Sequence, residues 1–268
     1  MRVWTIADAG LSFTWTRLAR ALALRVGWSG TRYDSAEAAT SAGPVPDAVR
    51  FDDGFLSEGS LTARYSDARR YVHSISPEEG RTAVLRAGVA APELGSDYRV
   101  ARARLSVAQY LRVPFTRHAV VALRAAGGLA EGTIGTDAPF ELGGFGVLDP
   151  ASLLPDAVVS PPDQLRGYEH GALAGTGFVL GNLELRVPLA APRLGRSTWP
   201  LFLRRVHGAL FLDAGDAFDR PGELPFAGHP FDLEQLRFSA GAELRLEVVL
   251  GYALRTDVRV GVARALGR

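Results

Sequence analysis

The feature that most restricts this chain is an alternation of apolar and polar residues with period two, repeated in one segment after another. From Ala101 the odd positions Ala101, Ala103, Leu105, Val107, Leu111 and Val113 are apolar, with Gln109 the exception, while the even positions include Arg102, Arg104 and Arg112. From Arg237 the phase reverses, so that Arg237, Ser239, Glu243, Arg245 and Glu247 alternate with Phe238, Ala240, Ala242, Leu244, Leu246 and Val248. Leu254, Val258, Val260 and Val262 then alternate with Arg255, Asp257 and Arg259. Successive side chains of a strand point to opposite faces, so each such segment predicts a strand with one greasy and one charged face.

About ten segments carry the pattern: 11–17, 20–33, 57–67, 81–91, 99–113, 117–127, 175–189, 205–217, 236–249 and 252–265. Most exceed the roughly 5–6 residues usual for strands, and they suit a tilted bilayer crossing of about 9–11. The connections alternate in length. Ser76-Pro77-Glu78-Glu79-Gly80, Pro114-Phe115-Thr116-Arg117 and the link near Val249-Leu250-Gly251 are short, whereas 34–56, 128–174 and 218–235 are long. Outer-membrane barrels have this asymmetry, with short periplasmic turns and longer outer loops. A structureless connection as long as 128–174 is uncommon in a compact domain unless it has a function. No stretch of about 18 consecutive apolar residues occurs, so a spanning helix is not predicted. A soluble β-sandwich also alternates and stays open as the competing architecture.

Composition narrows the function classes. Thirty Lys+Arg against 29 Asp+Glu leave a formal charge of +1, too little for the basic footprint by which proteins hold nucleic acid. The absence of cysteine removes disulfides and thiolate metal sites. His73, His118, His170, His207 and His229 form no H-x-x-x-H or H-E-x-x-H cluster, so no metal and no cofactor is expected. Gly27-Trp28-Ser29-Gly30 lacks the spacing of a nucleophile elbow, and Gly175-Thr176-Gly177 lacks the third glycine of a dinucleotide fingerprint. The chain therefore does not read as an enzyme.

Four motifs occur in and after the longest connection: Phe140-Glu141-Leu142-Gly143-Gly144, Leu165-Arg166-Gly167-Tyr168, Gly181-Asn182-Leu183-Glu184-Leu185-Arg186-Val187-Pro188-Leu189 and Phe211-Leu212-Asp213-Ala214-Gly215. Together they resemble the bacterial surface-antigen superfamily of BamA, TamA and the two-partner secretion transporters. In that family a Gly-Gly pair and a V/L-R-G-F/Y tetrapeptide sit in a long outer loop that folds back into the barrel. The next strands carry L-E-L/F-R-x-P and F-x-D-x-G. The stretch Tyr65 to Gly80 is similar to an earlier hairpin of the family. The pleat independently puts Leu183, Leu185, Val187, Leu244, Leu246 and Val248 toward lipid, and Glu184, Arg186 and Asp213 toward the lumen. An in-folded loop would bring Arg166 to Glu184 and Asp213, carboxylates that a guanidinium can bond bidentately. Gly167 would let its backbone approach the wall. Asp213 and Glu184 are read as structural and not as an acid–base pair, because Arg166 supplies their partner.

The resemblance implies an all-β fold, a transmembrane antiparallel β-barrel domain over residues 1–268, with 128–174 as an in-folded extracellular loop. Family barrels have roughly sixteen strands, so these ten read as an incomplete, C-terminal portion of one. Residues 145–164 stand where the best-known members have only a few. Such an insert is similar to barrels that follow a TolB-like propeller, which Arg69 to Pro77 also resembles. Neither a secretory signal at Met1-Arg2-Val3-Trp4 nor a POTRA or propeller module is visible. The implied location is the bacterial outer membrane. The implied partners are its lipid bilayer, client polypeptides and a fused or associated periplasmic domain, with no nucleic acid. The implied function is insertion, assembly or translocation of proteins. A passive pore favouring anions, lined by Arg102, Arg104, Arg112, Arg245 and Arg259, is the alternative beside the β-sandwich binding module.

Overall fold

A computed structural model describes residues 2–34, 54–71, 74–132, 140–144, 165–169, 171–195, 200–220, 227–251 and 254–267. The strands are β1 (Arg2–Arg17), β2 (Arg20–Asp34), β3 (Gly54–Ser66), β4 (Gly80–Ala90), β5 (Val100–Arg112), β6 (Val120–Gly132), β7 (Phe140–Leu142), β8 (Leu173–Gly175), β9 (Gly177–Ala190), β10 (Leu194–Gly195), β11 (Leu201–Phe218), β12 (Arg237–Leu250) and β13 (Leu254–Ala265). One antiparallel sheet runs β1-β2-β3-β4-β5-β6-β9-β11-β12-β13, with β10 beside β11, and β7 and β8 form a separate two-stranded sheet. The large sheet is open, with β1 and β13 at its edges.

Register carries the alternation across neighbours. Leu123, Leu183 and Leu212 stand in one cross-strand row and are exposed, as are Leu105, Leu210, Leu244, Val260 and Val262 on the same face. Surface leucine and valine in continuous rows would be a liability in water and are the ordinary lining of a barrel against lipid. Val248, expected on this face, is buried, at the point where a bulge between Leu203 and Arg205 shifts the β11 register. A second irregularity lies between Val206 and His207, beside Pro188 of β9. Proline has no N–H for the ladder and is confined to edges or such bulges.

Some strand limits differ from the sequence expectation. β1 starts at Arg2 and not near residue 11, and a register shift between Thr5 and Ala7 breaks the period before Ala7. β6 continues to Gly132, inside the span expected to be loop. Its inward Ala126, Gly128 and Ala130 are small because the inner face has no room there. A Cβ on Gly128 would lie 2.7 Å from the Phe178 ring and 2.8 Å from that of Phe140. The loop thus begins after Gly132, and β7 and β8 pair within it. Residues 133–139, 145–164 and 170, including the insert and His170, lie outside the described residues, as do residues 35–53 and 221–226 of the other long connections.

The expected tight turn at Ser76 to Gly80 is the return arm of a longer hairpin. Arg69 N–H donates to the Glu79 carbonyl at 2.8 Å and Glu78 N–H to the Arg69 carbonyl at 2.9 Å. The tip closes where Ser74 N–H donates to the Tyr71 carbonyl at 3.0 Å, with residues 72 and 73, and so His73, outside the described residues. Gly80 has φ +89°, a left-handed conformation that favours glycine, and a Cβ there would run into the Asp67 carbonyl.

Candidate functional site: a loop arginine among lumen carboxylates

The polar face of β9, β11 and β12 brings acidic residues into adjacent rows. Asp213 stands opposite Asn182 and Ser239, Phe211 opposite Glu184 and Gly241, and Ala209 opposite Arg186 and Glu243. Asp213, Glu184 and Glu243 are all buried. Three carboxylates this close, away from bulk water, need cations and donors to stay ionised.

Arg166 supplies them from the loop. Its Nε and Nη2 donate to Asp213 Oδ2 and Oδ1 at 2.7 Å each, a bidentate fork. Its Nη1 donates to Glu184 Oε1 at 2.7 Å and to Glu243 Oε1 at 3.0 Å. Its backbone N–H donates to Asp213 Oδ2 at 3.3 Å. The guanidinium also lies 3.6 Å above the Phe211 ring centroid, a stacking that planar delocalised charge permits. Only 2% of Arg166 is exposed, which makes it the largest fully buried side chain among the described residues.

The wall completes the charge balance. Arg186 Nε donates to Glu184 Oε2 at 2.7 Å, Arg245 Nε to Glu243 Oε2 at 2.8 Å, and Arg245 Nη2 to Glu184 Oε1 at 3.1 Å. Asn182 Nδ2 donates to Asp213 Oδ1 at 2.8 Å. Three guanidiniums face three carboxylates, and the network spans the loop and three strands. The alternation of β12 puts Glu243 on the polar face without pairing it with Arg166, and Phe211 and Asn182 lie inside the motifs, where spacing alone gives them no role.

The rest of the tetrapeptide holds the loop backbone to the wall. Gly167 has φ +89°, and a Cβ there would lie 3.1 Å from the Arg264 carbonyl carbon and 3.2 Å from Ala265 N, so the loop presses on β13. Tyr168 Oη donates to the Phe238 carbonyl at 3.0 Å. Leu165 is buried in a cluster with Leu142, Leu173, Phe178, Leu180, Ala126 and Ala217, contributed by loop and wall together. Burial of each leucine is worth about 1.5–3 kcal/mol. The glycine pair joins the same assembly: Gly144 N–H donates to the Tyr168 carbonyl at 3.0 Å, and Gly143 at φ +135° leaves no space for a Cβ beside the Glu169 carbonyl. Gly143, Gly144, Leu165, Arg166, Gly167, Tyr168, Glu184 and Asp213 are therefore one contiguous contact region. Its chemistry is fixation of a chain segment against the charged face of the sheet.

The inward arginines are mostly matched. Arg102 forks onto Glu58 at 3.0 and 2.5 Å, Arg245 serves Glu184 and Glu243, and Arg112 approaches Glu78 at 3.9 Å. At the short-turn end Glu78 is buried, accepting from Ser74 Oγ at 2.6 Å and lying 2.5 Å from His118 Nδ1. Burial pushes the Glu78 carboxyl up, but the Ser74 and His118 contacts outweigh it and hold the group below its ordinary value.

A search among curated proteins found no match. Compared with known protein families, residues 7–253 match the Omp85 superfamily domain, which covers the sheet from β1 through the end of β12. An all-antiparallel sheet with one greasy and one charged face fits the wall of an outer-membrane barrel. The chain belongs to the Omp85 superfamily, the bacterial outer-membrane β-barrels concerned with insertion and secretion of outer-membrane proteins.

Proposed function

We propose that this chain supplies the wall and the in-folded loop of a barrel that inserts or translocates client polypeptides, without a catalytic step or cofactor of its own. The observation that carries the reading is the buried Arg166 bonded to carboxylates of three different strands. A loop fixed in this way occupies the lumen, limits free diffusion through it and couples loop position to the wall. A passive pore needs the opposite, an unobstructed lumen. The pairing of Arg102, Arg112 and Arg245 with carboxylates also removes most of the positive field on which anion preference would depend. The partners in this reading are the outer-membrane bilayer, unfolded client chains and a periplasmic propeller or POTRA module that delivers them.

The test uses the full parent protein in liposomes. It should accelerate folding of a separate outer-membrane barrel into the same vesicles, and Arg166→Ala should lower that acceleration at unchanged expression. Client folding equal with and without the protein, together with a steady anion-selective current in planar bilayers, would overturn the reading in favour of a pore.

A further inference from the structure

The face that carries exposed leucine and valine ends, on one side of the sheet, in a row of charge. Trp15 stands opposite Leu22, Leu22 opposite Tyr65 and Tyr65 opposite Ala83, a single row across β1 to β4. Two residues nearer the short-turn end come Arg17, Arg20, Asp67 and Arg81. A step of two residues keeps the face, so the charged row follows the first by about 6.7 Å. The same face ends differently on β9, β11, β12 and β13, in the exposed Leu189, Leu201, Leu250 and Leu254.

The charges in this row do not cancel. Trp15 and the three arginines are exposed. Among the described residues Asp67 is the carboxylate that reaches them, 3.6 Å from Arg81 Nε and within electrostatic range of Arg20. Its oxygens are already engaged, Oδ1 by the Arg81 backbone N–H at 2.5 Å and Oδ2 by the Tyr65 hydroxyl at 3.1 Å. Three guanidiniums thus stand against one acid, and the pleat keeps them out of the lumen. A lipid-facing arginine is costly among acyl chains and tolerated at the edge of the bilayer, where its long stem lets the charge reach headgroup oxygens. Trp15 and Tyr65 are residue types of that edge, each an apolar ring with a polar tip. Arg17 lies 5.8 Å from the Trp15 ring centroid, and the Tyr65 hydroxyl, bonded to Asp67, points toward the charged row.

We propose that Arg17, Arg20 and Arg81 hold the phosphodiester headgroup of an anionic phospholipid at the short-turn rim, with Trp15 and Tyr65 beside its glycerol and upper acyl chains. A planar guanidinium bonds two phosphate oxygens at once. Three of them beside one acid favour a headgroup of net negative charge over a zwitterionic one, whose own cation they repel. The proposal rests on the reading that the greasy face meets the bilayer, and adds which lipid the rim of β1 to β4 selects. It depends on neither the Arg166 network nor client transport.

The experiment reconstitutes the full protein in phosphatidylcholine vesicles with a trace of phosphatidylglycerol or phosphatidylcholine spin-labelled on an acyl chain. Electron paramagnetic resonance then measures the fraction of label immobilised at the protein surface. Phosphatidylglycerol should be immobilised in excess of phosphatidylcholine, and the excess should shrink as sodium chloride is raised. A basic residue near an anionic headgroup is worth about fivefold in association. Arg17→Gln, Arg20→Gln and Arg81→Gln combined should therefore remove most of the excess, and Arg81→Gln alone, which spares the backbone N–H that holds Asp67, a part of it. Immobilisation of phosphatidylcholine, which reports the rest of the greasy face, should stay as in the wild type. Arg25→Gln, on the opposite face of β2 where Arg25 meets Asp8 at 3.5 Å, should change neither signal. Equal immobilisation of the two lipids by the wild type, or an undiminished excess in the triple variant, would overturn the proposal and leave the row to a protein partner. Immobilisation of neither lipid would instead overturn the lipid-facing reading on which it rests.

Discussion

Arg166 and Asp213, separated by 47 residues, meet through two parallel hydrogen bonds of 2.7 Å, one side chain from the loop and the other from the wall. Side-chain exposure is 2% for the arginine and 0% for the aspartate. Removal of either partner therefore leaves an uncompensated buried charge, which costs about 3–5 kcal/mol where burial is deep. Arg166→Ala should release the loop and destabilise the barrel together, and Arg166→Lys should rescue poorly because an ammonium cannot reproduce the planar fork. A double-mutant cycle with Asp213→Ala, read as protection of the loop from protease, should show strong coupling. Additive effects would sink the clamp.

The outer face gives a prediction about solvent. Leu185 stands in a row with Val121 and Leu210 on the greasy face, and Leu246 lies in phase with Leu244. Leu185→Arg or Leu246→Arg should cost about 2–4 kcal/mol near the bilayer midplane. Glu247→Arg, one residue along and on the charged face, should not incur that lipid penalty, although it breaks the contact with Arg204. Urea unfolding from liposomes compares them, and equal cost at Leu246 and Glu247 would contradict the assignment of faces.

Glu78 predicts how the hairpin that follows β3 responds to acid. Its carboxyl is held below the ordinary glutamate value by Ser74 and His118 despite burial. A group whose folded pKa is depressed contributes stability above its unfolded pKa, about 4.3, and loses it as pH falls through the folded value. Amide exchange at residues 74–76, corrected for intrinsic rate, should be flat from neutral pH to about 5 and rise below about 4. Glu78→Gln should exchange faster than wild type at neutral pH and show little further change on acidification. Protection that increased with acid would refute the linkage.

Much of this architecture is written in the period of the chain. The alternation in β5, β12 and β13 separates lipid face from lumen, and the order of the four motifs points to the family before any coordinate is known. What the period cannot supply is which inward residues meet across the sheet. Glu243 is one more acid on a polar face until curvature and register bring it to Arg166. The hairpin extension is hidden for a similar reason: Pro77 and Gly80 look like a turn, whereas Glu78 and Glu79 pair back with Arg69. The second half of β6 is hidden because Phe140 of the loop and Phe178 of β9 fill the inner face at Gly128, leaving glycine and alanine where a strand would otherwise show valine or leucine.

The last prediction concerns Gly167, where two constraints coincide. At φ +89° an L-residue is strained, and a Cβ would stand 3.1 Å from the Arg264 carbonyl carbon, which is backbone and cannot rotate away. Backbone strain alone amounts to about 1–3 kcal/mol, and relief requires the tetrapeptide to retreat from β13. Retreat at residue 167 pulls Arg166 out of line with Asp213 on one side and Tyr168 away from the Phe238 carbonyl on the other. Gly167→Ala should therefore imitate a weak Arg166→Ala, with faster proteolysis of the loop, and should add faster amide exchange near Arg264 and Ala265. Tyr168→Phe, which removes the hydroxyl with its bonds to the Phe238 carbonyl at 3.0 Å and the Gly267 carbonyl at 3.4 Å, should cost about 0.5–1.5 kcal/mol and leave the Arg264 and Ala265 amides protected. If Gly167→Ala and Tyr168→Phe proved indistinguishable at β13, the close passage of the loop backbone along that strand would not be what fixes the tetrapeptide.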